Sequence, residues 1–267
     1  MTVMAALEFI DAVVRFGPAT ILGGASLSVA PGSFVSVVGP TGCGKSTLLN
    51  LAAGLLAPSA GTVHSQGVKV SGINRRAGYL FQGESLMPWR NARDNVAAGL
   101  QFAGMRTAES RAIAETWLDR VGLHGAGDKY PHQMSGGMRK RAQLAQMLVL
   151  DPDILLMDEP FSALDVQTRL MMENELLALW QGDGTTQRKT VLFITHDLEE
   201  AIGLSDRVVV LSKGPAAKPI ADFAINLPRP RDVAEIRHTQ AFQALHAEIW
   251  AVLREQVLAT YRRSQAA

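Results

Sequence analysis

Short, nearly unbroken apolar runs recur along the chain at Phe34–Val38, Ile154–Met157, Val191–Ile194 and Val208–Leu211, each closed by Gly, Asp or other polar residues. Runs of this kind suit strands that are buried on both faces of a parallel sheet. Longer stretches of helical period separate them, at Lys45–Leu56, Thr107–Val121, Arg139–Leu150 and Val166–Trp180. Strand and helix in alternation predict an α/β fold with a central parallel sheet. Residues 1–30 and 61–80 differ. They carry short strand-like pieces (Leu7–Val14, Leu27–Val29, Val68–Val70) and turn signals at Pro31-Gly32 and Ser65-Gln66-Gly67, which predicts an antiparallel β subdomain. Residues 85–150 are mainly helical and interrupt the sheet-forming runs, as an inserted helical subdomain would. Leu227-Pro228-Arg229-Pro230-Arg231 breaks the pattern ahead of a last helix near Gln240–Tyr261. The expected division is a main domain over 1–226, with its helical subdomain at about 85–150, and a C-terminal helical extension over 227–267.

Composition narrows the function classes. The 267 residues hold 26 Lys and Arg against 25 Asp and Glu, a net charge of +1. That balance speaks against a dedicated nucleic-acid binder, which needs clustered basic excess, but not against a nucleotide. The single cysteine, Cys43, cannot form an internal disulfide, which fits a reducing compartment. The first residues lack a positive n-region and carry Glu8 and Asp11, unlike a secretory signal. The apolar stretch Leu48–Pro58 is about half the roughly 20 residues that a membrane span requires. Any membrane role therefore needs a separate partner.

Gly39-Pro40-Thr41-Gly42-Cys43-Gly44-Lys45-Ser46 follows the predicted strand Phe34–Val38 and opens the helix at Lys45, the context that a P-loop demands. Its glycines turn backbone N–H groups toward phosphates, and the helix start adds its positive dipole end. Lys45 would reach the β- and γ-phosphates, and Ser46 would ligate Mg²⁺. Ile154–Met157 leads into Asp158-Glu159, two carboxylates at the carboxyl end of a strand, where α/β sheets take their ligands. Asp158 can hold Mg²⁺, and Glu159, on the other side of the strand, can orient or deprotonate a water. The plainer alternative is an acidic cap on the next helix. Ser135-Gly136-Gly137 opens a further helix and is either a second anion site or an ordinary serine cap.

Together these segments resemble the ATP-binding subunit of an ABC transporter over about residues 7–225. The Walker A segment Gly39–Thr47, Gln82 in Leu80-Phe81-Gln82, the signature Ser135-Gly136-Gly137, the Walker B strand ending at Asp158-Glu159, the D-loop Ser162-Ala163-Leu164-Asp165 and the switch His196 stand in that family's order. The resemblance implies that ATP and Mg²⁺ are bound, with Thr47 and Asp165 among the nucleotide-site residues. It further implies that Gln82 completes the Mg²⁺ shell and senses the γ-phosphate. His196 then holds that phosphate and the water together with Glu159, and Phe16 stacks on adenine. Core packing is the alternative for Phe16, as a lone Phe beside a predicted strand, and the stacking role is the favoured one.

Two stretches are similar to importer ATPases for nitrate, sulfonate and taurine: Leu86-Met87-Pro88-Trp89-Arg90, and Met138 after the signature glycines. The Pro-Arg-Pro-Arg tail before the Trp250 helix looks like that group as well. Met134 and Gln146-Met147 depart from the usual Leu and Arg-Ala. The resemblance implies a peripheral protein on the cytoplasmic face of the inner membrane, working as a dimer with a second copy of itself, integral membrane permease subunits and a periplasmic or lipid-anchored solute-binding protein, and not with nucleic acid. Its alternatives are an exporter ATPase and a soluble ABC ATPase of the iron–sulfur assembly type. Met87 and Trp89 are read as a permease-docking patch or as packing inside the helical subdomain.

Overall fold

The computed structural model of the chain describes residues 4–181 and 188–264. Its central sheet has the spatial order β10 (Pro219–Ala224), β9 (Arg207–Leu211), β3 (Phe34–Val38), β8 (Thr190–Ile194), β7 (Ile154–Asp158) and β6 (Ala77–Leu80). All but β10 run parallel, which meets the α/β expectation. Every residue of β3, β7 and β8 is buried, the reason that their sequences do not alternate. A second, antiparallel sheet has the order β2 (Ala19–Val29), β1 (Leu7–Phe16), β4 (Ala60–Ser65) and β5 (Val68–Lys69). The buried positions of β1 slip from odd to even between Phe9 and Ala12. Asp11 takes a φ of 46° there, and its side chain accepts from the Ser26 hydroxyl at 2.9 Å.

Two expectations need correction, and one strand lies outside them. Residues 77–80 were assigned to the antiparallel subdomain by pattern, whereas β6 pairs in parallel with β7. The first helix, α1 (Lys45–Ala53), stops short of Leu56 because Gly54 turns left-handed at φ 69°. A Cβ at Gly54 would sit 1.8 Å from the Gly72 carbonyl oxygen, so only glycine fits. β10 has no counterpart in the sequence reading, since an edge strand covered on one side alternates and lacks an apolar run.

α1 lies between the two sheets. Its Leu48, Leu49 and Leu51 join Leu7 and Phe9 of one sheet to Val35, Val37, Ile154 and Leu156 of the other. On the far face, α5 (Val166–Gln181) lays Leu176, Leu177 and Trp180 over Phe34, Leu155, Met157 and Phe193. Phe34 and Trp180 meet edge-on, with centroids 5.5 Å apart. α2 (Ala92–Phe102), α3 (Thr107–Arg120) and α4 (Gly136–Leu148) enclose a separate cluster around Val96, Ala114, Leu118 and Ala142.

Beyond β8 come α6 (Leu198–Leu204), α7 (Val233–Ile236) and α8 (Gln240–Ser264). Phe242, Ile249 and Leu253 of α8 pack against Ile202, Val208 and Val210. The Pro-Arg-Pro-Arg segment wraps against α6. Arg231 is buried and donates to the carbonyls of Ile202, Gly203, Ser205, Ile225 and Leu227 at 2.6–3.3 Å, with its burial drawing its pKa down to about 10. Arg229 pairs with Asp206 at 2.8 Å and lies over the Trp180 ring at 4.5 Å.

A charged network ties α5, α6 and the tail together. Arg237 pairs with Glu173 at 2.7 Å and Glu199 at 3.1 Å, and Arg169 pairs with Asp197 at 3.0 Å. Burial pushes the Glu173 carboxyl up to about 7, against the opposing pull of Arg237. A carboxyl raised on folding is stabilising below its ordinary value of 4.5, and that stability is lost as the pH rises through about 7. Glu173→Gln does not titrate, so its stability should gain on that of the wild type between about pH 5 and pH 8, read from urea midpoints. A stability gap independent of pH would mean that Glu173 stays ionised throughout.

Candidate active site

β3, β8, β7 and β6 are neighbours in parallel register, so their carboxyl ends open onto one edge of the sheet. Such an edge is where open α/β sheets bind ligands. The four following segments are residues 39–44, Thr195-His196, Asp158-Glu159 and Phe81-Gln82.

The loop after β3 bends through Gly42 (φ 76°) and Gly44 (φ 107°), conformations that other residues rarely adopt. A Cβ on Gly44 would approach Ile21 Cγ2 to 2.9 Å. No side chain caps α1, so its first N–H groups remain available to an anion. Lys45 is buried, and its ammonium donates to the carbonyls of Gly39 (3.0 Å) and Pro40 (3.2 Å). Cys43 is buried as well, and burial pushes its thiol pKa up. Thr41, Gly42 and Ser46 are exposed, and Thr47 is half-buried.

Asp158 is buried. Its Oδ1 lacks a hydrogen-bond partner, and its Oδ2 lies 3.5 Å from the Tyr79 hydroxyl. Burial raises its pKa, while a hydrogen bond from Ser46 and the charge of Lys45 pull the other way. Among the described residues, no group of three or more His, Cys, Asp or Glu is placed to hold a metal. An unpaired buried carboxylate oxygen next to a serine hydroxyl does fit Mg²⁺, which takes one or two protein oxygens and completes its shell with phosphate and water.

Glu159 stands at φ 43°, a strained position for a residue with a side chain, and its N–H donates to the Ile194 carbonyl at 2.9 Å. One oxygen, Oε2, takes both the Gln82 amide at 3.3 Å and the His196 Nδ1 at 3.0 Å. Gln82, Glu159 and His196, which are 77 and 37 residues apart in the chain, thus meet on a single carboxylate oxygen.

Ser135 caps α4 by accepting from the Met138 N–H at 3.2 Å. A Cβ on Gly137 would come within 2.7 Å of Thr168 Cγ2, so this helix start lies tight against the first turn of α5. Gly136 has more room, with Leu164 at 4.0 Å. Asp165 caps α5 through the Thr168 N–H at 3.0 Å, and that bond holds its carboxyl below the ordinary range. The hydrogen bonds that Ser135 accepts, from the Met138 and Arg139 N–H groups, stay within α4. Phe16 closes the β1–β2 hairpin and is 54% exposed, which removes the core-packing reading. Ala19 and Thr20 of that hairpin line a cavity of about 310 Å³ with Thr41, Gly42 and Lys213.

The 86–90 segment divides. Leu86 is buried, Met87 is half-buried and Trp89 is 73% exposed. Phe102, 77% exposed, lies near it under the Arg90 guanidinium. Four residues unmarked by the sequence reading shape this region. Tyr79 donates to Asn50 at 3.2 Å and faces Asp158. Asn95 is fully buried; its Oδ1 accepts from the Met87 N–H at 2.6 Å, and its Nδ2 donates to the carbonyls of Met87, Arg90 and Asn91 at 3.0–3.1 Å. Lys140 donates to the Gln82 carbonyl at 2.8 Å, and Gln143 to that of Gly83 at 3.4 Å. An asparagine on the apolar side of α2, beside Val96 and Ala97, was the one available signal.

Residues 22–162 match the ABC transporter family. A putative ATP-binding protein of Brucella abortus biovar 1 (strain 9-941) is 41% identical, over 97% of each chain. A taurine import ATP-binding protein of Yersinia pestis bv. Antiqua (strain Antiqua) is 48% identical over 71% of this chain and 73% of its own length. An ATP-binding cassette solved as a dimer in a post-hydrolysis state with ADP and Pi superposes with a TM-score of 0.72 at 29% identity, covering 83% of this chain and all of that one. No helix among the described residues is long and apolar enough to cross a membrane.

Asn95→Ala removes the acceptor of the Met87 N–H and the side-chain donor of the Arg90 carbonyl, while the Met87 and Asn91 carbonyls keep backbone donors. The cost should be about 2 kcal/mol in urea unfolding, with faster proteolytic cleavage near Trp89. Unchanged stability and cleavage would show that the turn is held by other contacts.

Proposed function

The chain belongs to the ABC transporter family, as an ATP-hydrolysing ATP-binding subunit, and we propose that it powers a membrane importer of a small anionic solute in the class of nitrate, sulfonate or taurine. The observation that carries the chemistry is the meeting of Gln82 and His196 on one oxygen of Glu159, beside the Lys45 loop. In this reading the 39–47 loop and Lys45 bind the ATP phosphates, and Phe16 stacks on adenine. Ser46, Asp158 and Gln82 hold Mg²⁺, which when bound neutralises charge on the phosphate oxygens. Glu159 orients the attacking water and accepts its proton. His196 positions that carboxylate and the γ-phosphate.

Ser135-Gly136-Gly137 and Asp165 serve the nucleotide of a second copy. The similar cassette, solved as a dimer, supports that reading. Support for import comes from the taurine import relative and from the Met87-Pro88-Trp89 segment. Trp89, seven residues after Gln82, and Phe102, under the Arg90 guanidinium, are large exposed apolar groups suited to a permease subunit at the cytoplasmic face of the inner membrane. A periplasmic or lipid-anchored binding protein would then deliver the solute.

Glu159→Gln should keep ATP binding and lose at least about a hundredfold in hydrolysis, the scale of a positioned acid–base group. A phosphate-release assay alongside nucleotide titration checks it. Hydrolysis close to the wild-type rate removes Glu159 from the reaction.

Met87→Ala combined with Trp89→Ala should lower solute uptake and permease co-purification by about tenfold while reducing ATPase activity much less, since the patch lies outside the Glu159 cluster. Normal uptake with the permease retained would remove the docking role. Efflux in place of uptake identifies an exporter, and the lack of any co-purifying permease from the native membrane identifies a non-transport ATPase.

A further inference from the structure

The backbone of residues 81–84, which carries Gln82, is gripped by one face of α4. Lys140 donates its ammonium to the carbonyls of Gln82 (2.8 Å) and Phe81 (3.4 Å), and Gln143 donates to that of Gly83 (3.4 Å). Arg139 pairs with Glu84. Three donors within five residues of one helix therefore hold the whole segment. Lys140 is the unusual member, because it is 8% exposed and spends a buried ammonium on neutral carbonyls. Among the described residues it has no ion pair, and the nearest acid to influence it, Glu84, is engaged by Arg139. An apolar side chain of similar length would pack there without desolvating a charge.

The geometry points to Lys140 as a positioning residue for hydrolysis: it fixes the Gln82 main chain and so holds the Gln82 amide on Glu159 Oε2, coupling the placement of α4 to the state of the water-activating carboxylate. The inference rests on the reading of Gln82 and Glu159 given above. α4 begins at Ser135, and Gln146 further along it donates to the Asn95 carbonyl at 3.2 Å. The same helix thus reaches the signature serine, the Gln82 loop and the turn that presents Trp89. A shift of α4 imposed at either end would be delivered to Gln82 through a charge-assisted bond about twice as strong as a neutral one.

The test is a double-mutant cycle on the purified full-length chain, reading kcat and KM for ATP together with the melting temperature. Lys140→Met removes the ammonium and keeps most of the stem. It should lower kcat about tenfold with KM changed less than about twofold, whereas Lys140→Gln, a neutral donor on a shorter stem, should fall between it and wild type. Gln82→Ala should lower kcat at least as far, and adding Lys140→Met to it should cost no more than about twofold further, since a residue acting through Gln82 loses its effect when Gln82 is gone. If Lys140→Met does not fold, Lys140→Gln takes its place in the same cycle. Losses that multiply in the double variant, or a wild-type kcat in the Lys140 variant, overturn the positioning role. A wild-type kcat in Gln82→Ala instead overturns the reading of Gln82 itself, and the inference with it.

Discussion

Parallel register in the central sheet limits where the chemistry of this chain can lie. Because β3, β8, β7 and β6 are paired side by side in one direction, with Val37 opposite Ile194, Ile194 opposite Asp158 and Met157 opposite Leu80, the residues that follow them leave at nearly one level. Four segments far apart in sequence become neighbours without any loop reaching across the molecule. The sheet is held by near-complete burial of β3, β7 and β8 between α1 and α5, and by the edge-on Phe34–Trp180 pair beneath them. Apolar packing fixes the strands, and the strands fix Glu159, Gln82 and His196 to within hydrogen-bond distance.

Burying so much apolar surface leaves the polar groups at strand and helix ends to be satisfied locally, and arginines do much of this. Arg231 gathers five carbonyls around the end of α6, and Arg237 joins α7 to acids on α5 and α6. α6 is only seven residues long and begins directly after His196 and its cap Asp197. So short a helix has little stability of its own. The tail therefore braces the element that directly follows His196, which gives residues beyond 226 a physical bearing on the site.

What the sequence disclosed and what it hid follow one rule. Elements buried on both faces, such as Phe34–Val38, Ile154–Asp158 and Thr190–Ile194, announce themselves as apolar runs, and the glycine-rich loop between strand and helix is readable because its backbone demands those residues. β6 was misplaced because its four residues, Ala77-Gly78-Tyr79-Leu80, carry too little pattern to choose a sheet; the pairing with β7 chooses it. β10 alternates because one face meets solvent, and α6 is too short to show a period. At the site, side-chain chemistry at strand ends was legible from residue type. Contacts made by main-chain carbonyls were not, and for that reason Asn95, whose partners are backbone atoms of the turn before it, and Lys140 and Gln143, whose partners are backbone atoms of a distant loop, left almost no trace in the sequence.

Those three residues share a consequence. Holding a loop by its carbonyls leaves the loop's own side chains free to serve other partners: Gln82 points its amide at Glu159 while its carbonyl is held from behind, and Trp89 stays exposed while Met87 and Arg90 are pinned by Asn95. The side chain that meets Glu159 and an exposed side chain are thereby tied to α4, directly for Gln82 and through Asn95 of α2 for Trp89, and the start of α4 packs against α5 at Gly137 and Thr168. Close-packed contacts of this kind yield by discrete shifts more readily than by gradual deformation. A displacement of α4 would therefore change the distance between Gln82, whose carbonyl it holds, and Glu159 and His196, which follow β7 and β8.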